Sequence, residues 1–294
     1  MAIIAKIQGG LGNQLFQYAA ARAIAHHYQS GLLLDINWYQ QHHEDVTPRQ
    51  YQLEGFQISG VASFSGETPS IPKRWRRLLQ EHSWVSPYIF VEKQHYFFDQ
   101  KVLDLNLPSR QDLYLMGYWQ SYKYFDDIRS LLQRELSLKF VLDAHHQAYL
   151  EAITQSASTM LHVRRGDYVS LHSASRVHNV VDLVYYQRAM KKALEYEPDT
   201  QFFIFSDDLE WAKSHLPHQE RLTYVEPQEG RDDVVQELSL MRACKSHILA
   251  NSSLSWWGAW LKKYDGGFVI VPSRWVNDRN VTLDDLFPAN WLRL

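Results

Sequence analysis

A chain of 294 residues has room for one large domain or two ordinary ones, and either buries a core without disulfides. With 30 basic against 33 acidic residues the formal net charge is -3, so no global field draws it to nucleic acid and any anion site must be local. Cys244 is the single cysteine, which excludes an intramolecular disulfide and a cysteine-rich zinc site and suits a reducing cytoplasm.

The N-terminus, "MAIIAKIQGGLGNQ", lacks the charged and then long apolar regions of a signal peptide, and no apolar run approaches the roughly 18 residues of a membrane span. A soluble protein is expected. The chain opens with a predicted strand "AIIAKIQ", a turn "GGLGN", a helix "QLFQYAAARAIAHHYQ" and a second strand "GLLLDI". Irregular chain follows, with strand-like pieces "HYFFDQ" and "LYLMGYW" among Pro-, Gly- and polar-rich segments. "DIRSLLQREL" and "AHHQAYLEAI" have helical spacing. From there the pattern alternates. Strands "TMLHVRR", "QFFIFS", "RLTYVE", "SHILAN" and "GFVIVP" are separated by helices "VVDLVYYQRAMKKALEY", "DDLEWAKSHL", "DDVVQELSLMRAC" and "SSLSWWGAWLKKY", the last closed by Gly266 and Gly267. Short apolar strands alternating with helices imply right-handed crossovers and a parallel sheet covered on both faces, hence a Rossmann-like second domain. Two such halves facing across a cleft would bind ligands at the carboxyl ends of their strands. The division falls near residues 140 to 158.

No GxxxxGK[ST] loop, HExxH pair or EF-hand series occurs. In "GGLGNQL", Gly10 and Gly12 follow a strand and Asp35 ends the next, which invites a dinucleotide reading. Leu15 stands where that fingerprint needs a small residue for close helix packing. The same loop suits a sugar or phosphate: Gly9, Gly10 and Gly12 let backbone approach, and Asn13 and Gln14 bring amides to a helix N-terminus. An ordinary turn capped by Asn13 is the plain alternative.

In "HVRRGDY", Arg164 and Arg165 follow an apolar strand and point to opposite sides if the chain stays extended. An arginine fork matches phosphate oxygens; a structural salt bridge is the competing use. Asp207 and Asp208 end another strand, and Asp207 with Glu210 reads as helix capping, without excluding bonds to a ribose or base. Ser252 and Ser253 start a helix after "HILAN", a seat for phosphate or a plain serine cap. Trp256, Trp257 and Trp260 read as core. The basic run Lys73 to Arg77 reads as a solvated helix face, with weak association to a membrane surface as the alternative. The pairs His26 with His27, His42 with His43 and His145 with His146 read as solvated.

Taken in order, "GGLGNQLFQYAAARA", "HVRRGDYV", "FSDDLEWAK" and "ELSLMRACKSHILANSSLSWWGAWL" resemble the bacterial α-1,2-fucosyltransferases of glycosyltransferase family 11, over Ile3 to about Trp275. The HxRR element also resembles that of α-1,6 and protein O-fucosyltransferases. The resemblance implies an α/β, GT-B fold, with an acceptor-side domain over residues 1–148 and a GDP-fucose-binding domain over 149–294. It implies inverting transfer of fucose from GDP-fucose to a terminal galactoside at O2, without a cofactor or essential metal. It assigns donor contacts to Arg164, Arg165, His162, Gly10, Asn13, Asp207, Asp208, Glu237, Asn251, Ser252 and Ser253. Arg164 matches the arginine that meets the donor phosphates, with Arg165 as support, and Asn13 should face the fucose or the departing oxygen. Asp167 is the candidate base, with a structural role beside the arginines as the alternative. Ser246 and His247 stand where the family more often has a His-Asn pair, and Glu237 replaces a more usual aspartate. Competing readings are another GDP-sugar transferase of different linkage, an NAD-dependent oxidoreductase and a noncatalytic glycan-binding protein.

Overall fold

The computed structural model describes residues 2–41, 48–63, 89–106, 111–165, 181–228, 233–278 and 280–294. They form two compact units, one of Met1–Lys139 with Thr282–Pro288, the other of Phe140–Val281 with Ala289–Leu294. The division expected at residue 148 would cut a helix, α3 (Ala144–Gln155), whose Asp143 cap bonds through its backbone N–H to Gln236, so the helix goes with the second unit.

The first unit holds five parallel strands, β1 (Ala2–Lys6), β2 (Gly31–Asp35), β3 (Val61–Ser63), β4 (Ile89–Val91) and β5 (Leu113–Met116), in the order β3-β2-β1-β5-β4. Helix α1 (Leu11–His27) crosses from β1 to β2. Its run of alanines and its large residues Leu15, Phe16 and Tyr18 are buried nearly all round, as expected of a helix apolar on every side. Helix α2 (Arg129–Glu135) contributes Glu135, which accepts hydrogen bonds from Tyr18 and Arg22 and ties α2 to α1.

In the second unit, β6 (Ser158–Val163) is buried along its whole length, as a central strand covered on both faces must be. Around it lie β7 (Gln201–Ser206), β8 (Leu222–Tyr224), β9 (Ser246–Ile248), β10 (Val269–Val271) and β11 (Leu292–Arg293), all parallel, in the order β11-β10-β9-β6-β7-β8. Helices α4 (Leu183–Tyr196), α5 (Leu209–His215), α6 (Val234–Met241) and α7 (Ser253–Trp260) connect them. Leu161, Tyr186, Met190, Phe202, Ile204 and Ile248 build the core between sheet and helices. Trp256, Trp257 and Trp260 are fully buried, as the core reading expects.

Three local readings are corrected. "HYFFDQ" is not a strand: Tyr96 has φ +61, and Phe98 and Asp99 turn their N–H groups to Asp285 and Tyr124. The β4 strand is Ile89–Val91, just before it. The helix after the glycine loop starts at Leu11 rather than Gln14, because the Gly10 carbonyl already accepts from the backbone of Asn13 and Gln14. His146 is buried and bonded through Nδ1 to Asp143 at 2.9 Å, not solvated. The pair His42 with His43 and the run Lys73 to Arg77 lie outside the described residues.

Candidate functional site

In the second unit the chain runs β6, β7, β8 to one side, then returns to pair β9 with the other side of β6. The crevice above β6 and β9 at their carboxyl ends is therefore a switch point, the usual ligand position of an open α/β sheet. His162, Arg164 and Arg165 leave β6 there, Asp207 and Asp208 leave β7, and Asn251, Ser252 and Ser253 follow β9.

The two arginines are held differently. Arg164 brings Nη1 to 3.1 Å from Asp207 Oδ2, while the other oxygen of Asp207 accepts the backbone N–H of Arg165 at 2.8 Å. The Arg165 side chain turns away to Asp208, 3.4 Å from Nε, and lies over the Trp211 ring with its guanidinium carbon 4.2 Å from the centroid. The opposite directions expected of neighbours at a strand end are thus realised by two different carboxylates. Capping of α5 falls to Asp208, whose Oδ1 accepts from Trp211 N–H; Asp207, the expected cap, instead braces the arginine pair.

His162 is 4% exposed and its Nδ1 has no hydrogen-bond partner among the described residues. Burial, and next the nearby charge of Arg164, push its pKa down to about 4 against the opposing pull of Asp207. A neutral imidazole with an open nitrogen stands beside the cation.

Ser252 occupies the cap position of α7, yet its hydroxyl makes no capping bond, so the plain serine cap is not formed. The first N–H groups of α7 and two hydroxyls stand at the positive end of a helix dipole, the usual seat of a phosphate. Asn251 is buried and donates through Nδ2 to the Trp275 carbonyl at 3.2 Å. Glu237 lies in the first turn of α6, on the β8 to β9 crossover. Asp167 lies outside the described residues.

The first unit has its own switch point between β1 and β5. Gly9, with φ +80, makes the turn after β1, a conformation that glycine adopts without penalty. Gly10 is extended and caps α1 by position. Gln14 staples the loop by donating to the Gly9 and Gln50 carbonyls at 3.0 and 2.8 Å and accepting from Gln52 N–H at 2.9 Å. Asn13 lies within the helix rather than at its cap, and its Oδ1 accepts a hydrogen bond from Gln120 Nε2 at 2.8 Å. Asp35 is buried with its carboxylate taken by Tyr114 OH and Asn37 N–H rather than offered to a ribose, and the buried Leu15 fills the place where a dinucleotide site needs a small residue.

Just after β4, Glu92 is 6% exposed and accepts the backbone N–H groups of Tyr118 and Trp119 at 2.8 and 2.9 Å and the ring of His95 at 3.1 Å. Trp119 has φ +58, a left-handed backbone that costs a non-glycine residue on the order of 1 kcal/mol. Sequence reading missed Glu92, His95 and Gln120, which sit in irregular chain. An acid directly after the strand "IFV", as Asp207 follows "FIFS", was the available signal.

A cavity of about 440 Å³ lined by Arg22, Ser30, Leu32 and Val61 opens at the amino ends of β1 to β3, at the opposite end of that sheet from its switch point. Among the described residues, no group of three or more His, Cys, Asp or Glu could hold a metal ion, and no helix is long and apolar enough to cross a membrane.

Residues 81–294 match the model of glycosyl transferase family 11. The chain belongs to that family. An α-1,2-colitosyltransferase of Escherichia coli is 31% identical over 99% of this chain and 98% of its own length. The O-antigen biosynthesis glycosyltransferase WbnK of the same organism is 29% identical over 98% and 99%. Human galactoside α-(1,2)-fucosyltransferase 1 is 24% identical over 66% of this chain and 51% of that protein. Among solved structures, the NodZ α-1,6-fucosyltransferase soaked with GDP-fucose is 16% identical and covers 88% of this chain and 92% of its own, with a TM-score of 0.53, a likeness of fold. This family 11 chain is accordingly a glycosyltransferase with the α/β, GT-B type of fold, built from two parallel-sheet units.

Proposed function

We propose that the enzyme transfers L-fucose with inversion from GDP-β-L-fucose to O2 of a terminal β-galactoside, giving an α-1,2 linkage. The observation that carries this reading is the convergence of Arg164 and the start of α7 on one switch point. As the C1–O bond breaks, negative charge grows on the diphosphate. Fixed cations and N–H donors at that position stabilise it without a metal. In this reading Arg164 meets the phosphates, Asp207 and Arg165 hold it in register, and Ser252 and Ser253 supply hydroxyls and N–H groups beside it. His162, Asn251, Asp208 and Glu237 border the nucleoside side. Gly10 and Asn13, at the switch point of the first unit, keep the donor-sugar role that the resemblance of the "GGLGN" loop implies, and Arg164 and Asn13 are the catalytic candidates of their own units. Asp167, the candidate base, receives no role from the described residues.

A second donor is favoured by the similarity to a colitosyltransferase. Colitose is L-fucose without its 3-hydroxyl, so the two donors differ by one hydrogen-bonding group. A site built to bond that hydroxyl rejects the sugar lacking it strongly, by roughly 10⁴ or more. The test is incubation with GDP-fucose, GDP-colitose and other nucleotide sugars against a galactoside panel, with the new linkage located by NMR. An α-1,2-fucosyl product supports the reading. Transfer of colitose alone, or to another hydroxyl, overturns it.

A further inference from the structure

The reaction needs a group that takes the proton of the acceptor hydroxyl, and the first unit carries a pair built for that work. We propose that His95 is this base, with Glu92 as its positioning partner, and that the acceptor sugar lies on the aromatic edge beside them; the inference rests on the transfer reaction proposed above.

Glu92 is firmly fixed. Its two oxygens accept the backbone N–H groups of Tyr118 and Trp119. Gly117 makes room for it: a methyl there would overlap Glu92 Cβ and stand 2.9 Å from Oε2. The backbone turns left-handed at Trp119 immediately afterwards. A carboxylate wrapped in this way is a rigid acceptor, and its remaining bond goes to His95 Nδ1 at 3.1 Å.

That bond sets the chemistry of the ring. Accepting from Nδ1–H fixes the tautomer that leaves Nε2 as a proton acceptor, the arrangement by which a carboxylate orients a catalytic histidine. Glu92 is 3% exposed at its side chain whereas His95 is 59% exposed, so the acid is hidden and the base reaches solvent or substrate. Among the described residues, Glu92, the Tyr96 ring at 6.2 Å and the Tyr118 ring at 5.5 Å face His95. The hydrogen bond to Glu92 raises the pKa of the ring above its ordinary value, against a smaller opposing effect of burial. A raised pKa makes the neutral ring a stronger proton acceptor.

The surroundings fit a galactoside. Glu92 follows β4, Tyr118 and Gln120 follow β5, Asn13 follows β1, and Trp38 and Tyr39 follow β2, so all stand at the same carboxyl edge. Trp38, Tyr39, Tyr51 and Tyr118 are half-buried, and Tyr39 is tied to the glycine loop by its hydroxyl on the Gly9 carbonyl at 2.9 Å. Half-exposed rings give an apolar face to the C–H side of a sugar, and the Asn13 to Gln120 amides supply polar contacts. In the step itself, His95 Nε2 takes the hydroxyl proton while the acceptor oxygen bonds to C1 of the donor. The C1–O bond to the diphosphate breaks, its electron pair leaving with GDP.

The experiment compares the parent with His95→Ala, His95→Gln, Glu92→Gln and Asp167→Asn. Expected are a 10² to 10⁴-fold fall in transfer for both His95 variants, unchanged GDP binding and melting temperature, and loss of the acid limb of the pH profile. Glu92→Gln should move that limb to lower pH, because the charge that raises the pKa of His95 is gone. Addition of lactose with GDP present should shift the His95 ring signals in NMR. A His95→Ala enzyme with parental turnover and an intact acid limb overturns the proposal, as does a limb abolished only by Asp167→Asn. A lactose-induced shift at His95 without any fucose transfer would instead retain the acceptor position and reject the donor reading.

Discussion

Asn13 Oδ1 accepts a hydrogen bond from Gln120 Nε2 at 2.8 Å, joining the segment after β1 to the segment after β5 across the first switch point. With its oxygen engaged, Asn13 has its Nδ2 hydrogens to offer a ligand. Asn13→Asp keeps the shape and loses that donor, so it should reduce turnover as severely as Asn13→Ala. Gln120→Leu removes only the bond that orients Asn13, about 0.5 to 1.5 kcal/mol, and should cost roughly 2- to 13-fold. Steady-state kinetics of the three variants checks this order. A mild Asn13→Asp beside a severe Gln120→Leu would contradict it.

Arg165 is anchored rather than presented, by Asp208 and by the Trp211 ring 4.2 Å from its guanidinium carbon. Trp211→Leu removes a cation–π contact of about 0.5 to 2 kcal/mol. Turnover should fall by roughly 2- to 30-fold, and Arg165→Lys should be milder than Arg164→Lys. Measuring kcat for all three variants tests the division of labour, and a larger loss at Arg165 would reverse it.

Chelation should leave turnover intact. In the proposed reading Arg164 and the start of α7, at the second switch point, carry the diphosphate charge. Assays in EDTA, then with added Mn²⁺ or Mg²⁺, check it. Activity abolished by EDTA and restored by metal would return Asp207 and Asp208 to consideration as ligands.

Two buried histidines make the fold acid-sensitive. Burial pushes His162 down to about 4 and His247 down to about 3, from an unfolded value near ~6.5. Both are neutral in the fold. As pH falls below the unfolded value, the unfolded chain binds protons the folded chain refuses, so stability drops from about pH 6.5 toward 4 by up to ~1.4 kcal/mol per pH unit for each. His95, raised rather than lowered, acts in the other direction and at higher pH. Urea midpoints between pH 7 and 4.5 should show a slope shallower by about one proton in His247→Gln. An unchanged slope would contradict the assignment.

Five strands of the second sheet were legible because they are short, mostly apolar runs, as "FFIFS" before Asp207 shows, and because the helices between them have regular spacing. The edge strands β3 and β11 escaped: β11 has two residues, and β3 exposes Val61 and Ala62, so neither carries a buried apolar run. "HYFFDQ" misled because its aromatic content suits a strand, whereas Asp285, far along the chain, draws its backbone into a loop. At the site, motifs located Arg164, Asp207 and Ser252 at the correct strand ends. Which carboxylate caps and which braces was not readable, since Asp207 and Asp208 are adjacent and only the turn after β7 separates them. Glu92 had only its place after "IFV" to mark it and Gln120 nothing, because what makes them important is contact across β4, β5 and α1, not neighbours in sequence.

The central claim is that Arg164 stabilises charge growing on the diphosphate as the sugar leaves, and turnover beside GDP affinity in Arg164→Ala and Arg164→Lys tests it most directly. Loss of one such preorganised donor costs roughly 10² to 10³ in turnover, about 2.7 to 4 kcal/mol, and lysine keeps the charge without the planar fork. The account expects folded variants with a fall of that size for alanine, a large fall for lysine, and a smaller loss of GDP affinity in both. A folded Arg164→Ala enzyme with near-parental turnover would contradict it.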